Sequence, residues 1–369
     1  MKIALIGPVY PYRGGIAHYT TLLAKALQDA GHEVKVISFI RQYPRWLYPG
    51  QSDRDPSQEP LAIPATYVLD PLFPWTWRAA VEAISQFSPD LVLIQWWTTF
   101  WAPAFAFVAQ AVKAKDIRVG YLIHNVIPHE ARPWDKYLAK MALKRGDAFL
   151  VQSSGQQIVL EALVPGAQVT LTRHPVYDMF TAQKMDKATA RQKLSLPEGV
   201  PVVLFFGIVR PYKGLSLLIE AIGQLNAEGM NVGALIAGEF WEDVHRYREQ
   251  ITGLNLSQKV RIDNRYIPNE EVSVIFSAAD VFAAPYTSAT QSGAVKMALG
   301  FGLPVVITEP VLDETMCAGI DQNVFVCPTN NIPLLKKAIV KALELGKTGM
   351  QQQMDSAGWQ PLIDCIQQL

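Results

Sequence analysis

Short apolar runs alternate along the whole chain with longer segments whose apolar positions recur every three to four residues. The short runs read as buried strands and the longer segments as amphipathic helices. Their alternation predicts parallel sheets covered by helices, an α/β fold. In the first half the pattern predicts strands over 2–7, 33–39, 91–95, 119–123 and 148–152. Helices are predicted over 15–30, 76–87, 102–114, 134–145 and 154–162. The stretch 40–75, rich in proline, arginine and aromatic residues, reads as a long loop. Segment 178–200 is charged, carries turn residues and reads as a boundary. Beyond it, strands are predicted over 201–207, 232–237, 259–263, 281–284, 304–307 and 323–326. Helices are predicted there over 213–228, 241–252, 269–278, 292–300 and 332–345. The tail from Met354 to Leu369 reads as a further helix with Trp359 on its apolar face.

A chain of 369 residues is long enough for two domains. Half of it is apolar, and 33 basic residues balance 33 acidic ones. No basic field points to nucleic acid as a partner. Cys317, Cys327 and Cys365 have neither metal-site nor disulfide-framework spacing, so a reduced, cytoplasmic setting is expected. Met1 and Lys2 run directly into a strand, and no signal peptide is read there. The most apolar window, Phe100 to Val112, is interrupted by Pro103 and Gln110 and is too short to span a bilayer.

Three strand–turn–helix stretches carry candidate chemistry. In the first, strand 2–7 leads into Pro8-Val9-Tyr10-Pro11-Tyr12-Arg13-Gly14-Gly15 and then a helix, which Gly31-His32 ends before Glu33-Val34. The glycine pair permits close backbone approach where the helix begins. In the second, Val202 to Gly207 is followed by Ile208-Val209-Arg210-Pro211-Tyr212-Lys213-Gly214 and an amphipathic helix. A basic loop between a strand and a helix suits a polyphosphate. In the third, Pro285 to Ile307 passes through the small polar turn Ser288-Ala289-Thr290-Gln291-Ser292-Gly293, a helix and the strand-like Gly302-Leu303-Pro304-Val305-Val306. Backbone N–H groups and the helix dipole in such a turn favour an anion. An ordinary βαβ crossover is the plain alternative for this stretch taken alone.

In this order and spacing the three stretches resemble the retaining glycosyltransferases of family 4, the glycosyl transferases group 1, which have the GT-B fold. The resemblance covers nearly the whole chain. It implies two Rossmann-like parallel-sheet domains facing a central cleft, an acceptor-side domain over 1–180 and a nucleotide-sugar-binding domain over 181–350. Residues 351–369 would form a C-terminal helix crossing back to the first domain. The implied activity is transfer of a hexose from a UDP- or GDP-sugar to a hydroxyl of a saccharide or lipid-linked acceptor. That work belongs to polysaccharide or glycolipid synthesis, with no cofactor and no metal.

The resemblance also assigns roles. Arg210 and Lys213 would meet the charge that develops on the leaving diphosphate. The family places an arginine where this chain has Ile208, so Arg210 stands in for it. His124, at the end of an apolar strand, would face the donor sugar and the acceptor. Gly15, Gly238, Glu239, Ile267 and the turn Thr290, Gln291, Ser292, Gly293, Ala294 would bind the donor, with Tyr266 beside Ile267 near the base. Tyr12, Arg13, Gly14, Asn125 and His129 would contact the acceptor, and His129 with Glu130 could form an acid/base pair. The family's paired glutamates fall here on Ala289 and Met297, which leaves donor-sugar contact and nucleotide choice open.

Two aromatic stretches, Arg41 to Tyr48 and Trp96 to Trp101, suit either an acceptor groove or a lipid headgroup layer. Core or cleft-wall packing is the alternative. The expected location is cytoplasmic, with peripheral contact at the inner face of the plasma membrane. A sugar-nucleotide epimerase on the same fold would need a cluster of carboxylates and histidines that the sequence does not assemble. A non-catalytic nucleotide-sugar-binding homologue is favoured by the missing glutamates and opposed by His124 and Lys213.

Overall fold

The computed structural model describes residues 1–128, 130–175, 178–288, 292–312, 323–347 and 358–369. The chain divides into two compact units. The first comprises Met1–Asp55, Pro60–Pro175 and Ala357–Leu369, and the second Pro56–Glu59 with Val176–Ser356.

In the first unit the order is β1 (Lys2–Ile6), α1 (Gly15–Asp29), β2 (Glu33–Phe39), β3 (Ala65–Leu69), α2 (Pro74–Phe87), β4 (Leu91–Trp96) and α3 (Ala102–Lys113). It continues with β5 (Arg118–Ile123), α4 (Asp135–Leu143), β6 (Ala148–Val151), α5 (Ser154–Leu163) and β7 (Val169–Leu171). The strands form a seven-stranded parallel sheet in the order β3-β2-β1-β4-β5-β6-β7. Strand order reverses between β1 and β4, and a crevice opens at such a switch point, beyond the carboxyl ends of the strands. Every residue of β4 is buried. Its central strands are almost wholly buried, so they read as near-continuous apolar runs.

The second unit contains α6 (Lys187–Lys193), β8 (Val202–Phe206), α7 (Leu215–Ala227), β9 (Gly233–Ala237), α8 (His245–Gly253), β10 (Val260–Asp263) and α9 (Asn269–Ala278). It continues with β11 (Val281–Ala284), α10 (Gly293–Gly300), β12 (Val305–Thr308), β13 (Val324–Cys327) and α11 (Ile332–Lys347). Its six-stranded parallel sheet runs β10-β9-β8-β11-β12-β13, and the switch point falls between β8 and β11. Ser57 and Gln58 join this unit: Ser57 Oγ accepts from Asn269 N at 3.0 Å, and Gln58 N donates to Glu270 Oε1 at 3.1 Å.

A last helix, α12 (Gln360–Gln367), returns to the first unit. It buries Leu362, Ile363 and Ile366, and Gln367 Nε2 lies 3.0 Å from His32 Nε2 on the turn after α1.

Three elements depart from the sequence pattern. The expected loop 40–75 contains β3, an edge strand whose side chains are mostly half-buried or exposed, so no apolar run announces it. The boundary segment 178–200 contains α6, started by Asp186, whose carboxylate accepts from Thr189 N at 2.9 Å. β7 is three residues long and no more than half-buried.

Candidate functional site

In the second unit, β8 ends at Gly207, whose φ of +101° a side chain rarely adopts. The basic loop then climbs to Gly214, the left-handed N-cap of α7. A Cβ at Gly214 would lie 2.1 Å from Pro285 O, and Thr287 N donates to Tyr212 O at 2.7 Å. These contacts bring the Lys213 loop against the start of the 285–308 stretch, at the β8/β11 switch point. Gly238 closes the other side. Its φ is +152°, and a Cβ there would sit 2.0 Å from Gly207 O.

Lys213 folds back over this floor. Its Nζ is 3.3 Å from where a Gly207 Cβ would be and 5.4 Å from the centre of the Tyr286 ring. Among the described residues no carboxylate pairs with it. Burial, and secondarily the neighbouring Arg210 charge, lower its pKa to about 8. Arg210 lies over the rings of Trp241 (5.5 Å) and Tyr212 (6.0 Å). Trp241 Nε1 donates to the buried Glu239 carboxylate at 3.0 Å. Tyr286, also buried, places its hydroxyl 3.4 Å from Ser292 Oγ, which caps α10 by accepting from Val295 N at 3.3 Å. Gly293 and Ala294 are the first helical residues, so their N–H groups have no partner within the helix.

The second unit thus gathers Arg210, Lys213, Gly238, Glu239 and Ser292 to Ala294 around one sheet end. Ile267 is buried on the loop after β10, beside Tyr266. Met297, at one of the positions where the family has a glutamate, is buried on α10. Ala289, Thr290, Gln291 and, in the first unit, His129 lie outside the described residues.

In the first unit, β5 ends at His124, which is 7% exposed. Its backbone N donates to Trp96 O at 2.8 Å, and its Nε2 lies 2.5 Å from Gln95 Oε1. Tyr19 of α1 packs edge-on against the imidazole at 4.8 Å. Tyr19 is held in turn by the amide of Gln152 at 2.5 Å and by the rings of His174 (5.4 Å) and Trp359 (5.1 Å). Burial, with a smaller contribution from His174, lowers the His124 pKa to about 3, so the ring is neutral at any ordinary pH. Asn125 follows it, half-buried.

The turn before α1 divides. Gly14 caps the helix with φ +107°, and a Cβ on Gly14 or Gly15 would meet nothing within 4 Å, so there is space beside the backbone at this turn. Tyr12 faces the other way. Its hydroxyl donates to Phe39 O at 2.9 Å, Arg54 covers its ring, and burial raises its pKa to about 12. Its backbone N donates to Val9 O at 3.0 Å and the residue is 1% exposed, so the structure offers neither its side chain nor its N–H to an acceptor. Arg13 Nε donates to Tyr48 Oη at 3.2 Å, which ties the turn to the 41–48 loop.

The two aromatic stretches meet. Trp97 Nε1 donates to Tyr43 Oη at 2.9 Å, and Tyr43 packs on Phe100 at 5.4 Å. Trp96 and Trp101 are fully buried, whereas Trp46 is 78% exposed. Arg41 is paired to the buried Asp70 at 2.8 Å.

Sequence reasoning missed Gln95, Gln152, Tyr19 and His174. The usable signal was a lone glutamine inside the apolar strand LVLIQW, and another closing FLVQ. A polar side chain at such a position needs a specific partner.

Two family models match successive parts of the chain. The family described as Glycosyl transferases group 1 matches residues 186–359, and that described as Glycosyltransferase Family 4 matches residues 13–176. D-inositol 3-phosphate glycosyltransferase 1 of Catenulispora acidiphila is 27% identical over 163 residues, 42% of this chain and 38% of that protein. The chain spans 38% or less of the length of the curated relatives it matches. Sucrose-phosphate synthase of Thermosynechococcus elongatus has a similar fold, with TM-score 0.72, 20% identity and coverage of 100% of this chain and 97% of that one. Anabaena HepE in complex with UDP and glucose superposes with TM-score 0.73, 16% identity and full coverage of both chains. The two parallel-sheet domains are those of the GT-B fold.

Proposed function

The chain belongs to the group 1, family 4 glycosyltransferases, and from that premise we propose that it transfers a hexose from a UDP- or GDP-sugar to a hydroxyl of a saccharide or lipid-linked saccharide. The observation that carries this reading is Lys213, an ammonium held among protein groups and paired with no carboxylate among the described residues. Desolvating a cation is costly unless an anion lies beside it. An anionic ligand at the β8/β11 switch point removes that cost. Arg210 and the open N–H groups of Gly293 and Ala294 belong to the same sheet end. That donor site serves a leaving nucleoside diphosphate, and the UDP bound by Anabaena HepE supports the choice of ligand.

Charge builds on the β-phosphate as the glycosidic bond breaks, and fixed cations stabilise it without rearranging. The configuration of the sugar is retained in this reading. The leaving phosphate oxygen takes the acceptor proton, because a neutral, buried His124 is a poor base and serves as a hydrogen-bond partner to the sugar. Purified protein incubated with a panel of UDP- and GDP-sugars is expected to release diphosphate product from one of them. Release is expected to persist with a metal chelator, since Arg210 and Lys213 do the work a metal would do. Loss with chelator and rescue by a divalent ion would overturn the cationic assignment. Binding of a nucleotide-sugar with no release from any donor would establish the non-catalytic reading, which Met297 in a glutamate's place favours.

Peripheral membrane contact is the finer part of the proposal. Arg45, Trp46 and Leu47 are exposed together on one short 3-10 turn. Arg41 adds less than the sequence pattern implied, because Asp70 neutralises it. One free arginine is worth about 1 kcal/mol at an anionic surface, so adsorption should be weak and salt-sensitive. Arg45→Glu combined with Trp46→Ala is expected to abolish flotation with anionic liposomes at low salt. Equal recovery of variant and wild type would remove the membrane from the proposal.

A further inference from the structure

We propose that Gln95 is a positioning residue that holds the His124 ring as its Nε2–H tautomer, so that Nδ1 presents a lone pair to a donor or acceptor hydroxyl. The inference rests on the placement of His124 in the reacting centre, but its test does not require turnover.

Gln95 is fully buried on β4 and its Oε1 lies 2.5 Å from His124 Nε2. With the carbonyl oxygen of Gln95 as the acceptor, the imidazole proton sits on Nε2, and the Gln95 Nε2 amide is left buried without a partner among the described residues. The other ring nitrogen has no hydrogen-bond partner among the described residues. His124 as a whole is 7% exposed. The ring therefore has one nitrogen tied inward and one left for a ligand.

The packing holds the glutamine in place. A Cβ on Gly7 would fall 2.8 Å from Gln95 Cγ and 2.8 Å from Thr20 Oγ1, so the glycine makes the channel in which the side chain lies. Tyr19 fixes the ring's face at 4.8 Å. Among the described residues the titratable groups facing the imidazole are Tyr19 from α1 and His174 after β7, with no carboxylate acting on it. A neutral amide holds the tautomer without adding charge. A carboxylate at the same place would hold it too, but would favour the imidazolium and convert Nδ1 from acceptor to donor.

Nitrogen-15 NMR of histidine-labelled protein tests this without substrate. In the wild type, His124 is expected to show a protonated Nε2 and an unprotonated Nδ1, unchanged from about pH 8 to pH 5. Gln95→Glu, nearly isosteric, should keep the proton on Nε2 but make the ring titrate inside that range. Gln95→Leu should release the tautomer, giving a mixture or the Nδ1–H form. A wild-type ring carrying its proton on Nδ1, or one already charged near pH 6, would overturn the proposal. So would an unchanged ring state in Gln95→Glu, which is the deciding variant if Gln95→Leu does not fold. A merely structural glutamine would leave the ring's protonation unmoved in both variants. Because this readout needs no turnover, it is separable from the diphosphate-release assay that tests the proposed function.

Discussion

Lys213→Ala is expected to lower kcat by about 10²- to 10³-fold, the usual effect of removing one preorganised donor from developing charge, roughly 3–4 kcal/mol. The fold itself should not suffer. Removing a partly desolvated ammonium that pairs with no carboxylate among the described residues relieves a cost, so the melting temperature should hold or rise. The same residue sets a pH dependence whose sign is fixed. Burial and Arg210 depress the unliganded pKa to about 8, and a bound diphosphate raises it again. Nucleoside diphosphate should therefore bind best below pH 8 and progressively less well above it, and the alanine variant should lose that slope. Calorimetric titration across the range decides the matter. A wild-type turnover rate in Lys213→Ala would take the residue out of the diphosphate site. Arg210→Ala should cost a comparable amount, as its guanidinium is already ordered over Trp241 and Tyr212.

Gly238→Ala should be the most disruptive single methyl in the second unit. Its Cβ would lie 2.0 Å from Gly207 O, and both partners are backbone at the ends of adjacent, buried strands. Overpacking of this kind costs about 1–3 kcal/mol, and a φ of +152° adds backbone strain of similar size. The expected loss is about 3 kcal/mol or more, and the separation of β8 from β9 should carry nucleotide binding away with it. Gly253→Ala is the control: that glycine ends α8 with nothing within 4 Å of its Cβ. Scanning calorimetry should separate the two by roughly 10 °C, at about 2–4 °C per kcal/mol for a unit of this size. Coincident melting curves would show that Gly207 and Gly238 can move apart freely.

The sequence made local order legible and long-range meeting much less so. Strand–turn–helix transitions at Gly207–Leu215 and Ala284–Gly293 are written in a few neighbouring residues, through apolar period and glycine placement. That Gly214 abuts Pro285 O is not written in either segment, because it follows from the crossover that puts β11 beside β8. Tyr12 shows the same gap at the scale of one side chain. Its place on a turn beside two glycines suggested a ligand contact, but which way a turn residue points depends on what packs behind it. Here that is Phe39, whose carbonyl takes the hydroxyl. Gln95 was hidden by the opposite error, since a period-based reading absorbs one polar residue into an apolar strand. β3 and α6 escaped because an edge strand and a two-turn helix expose too much of themselves to leave a clear period.

Trp359 has a consequence in the order of synthesis. It lies far from Tyr19 in sequence, yet its ring packs at 5.1 Å on that residue, which sets the face of His124. Gln367 likewise meets His32 across 335 positions. On the ribosome the first sheet can assemble early, but the surroundings of its histidine are finished only when residues 358–369 have emerged. A nascent or truncated chain would therefore carry a folded first sheet with an unfinished histidine site. Completion of the histidine's surroundings on that unit waits for a segment far from it in sequence.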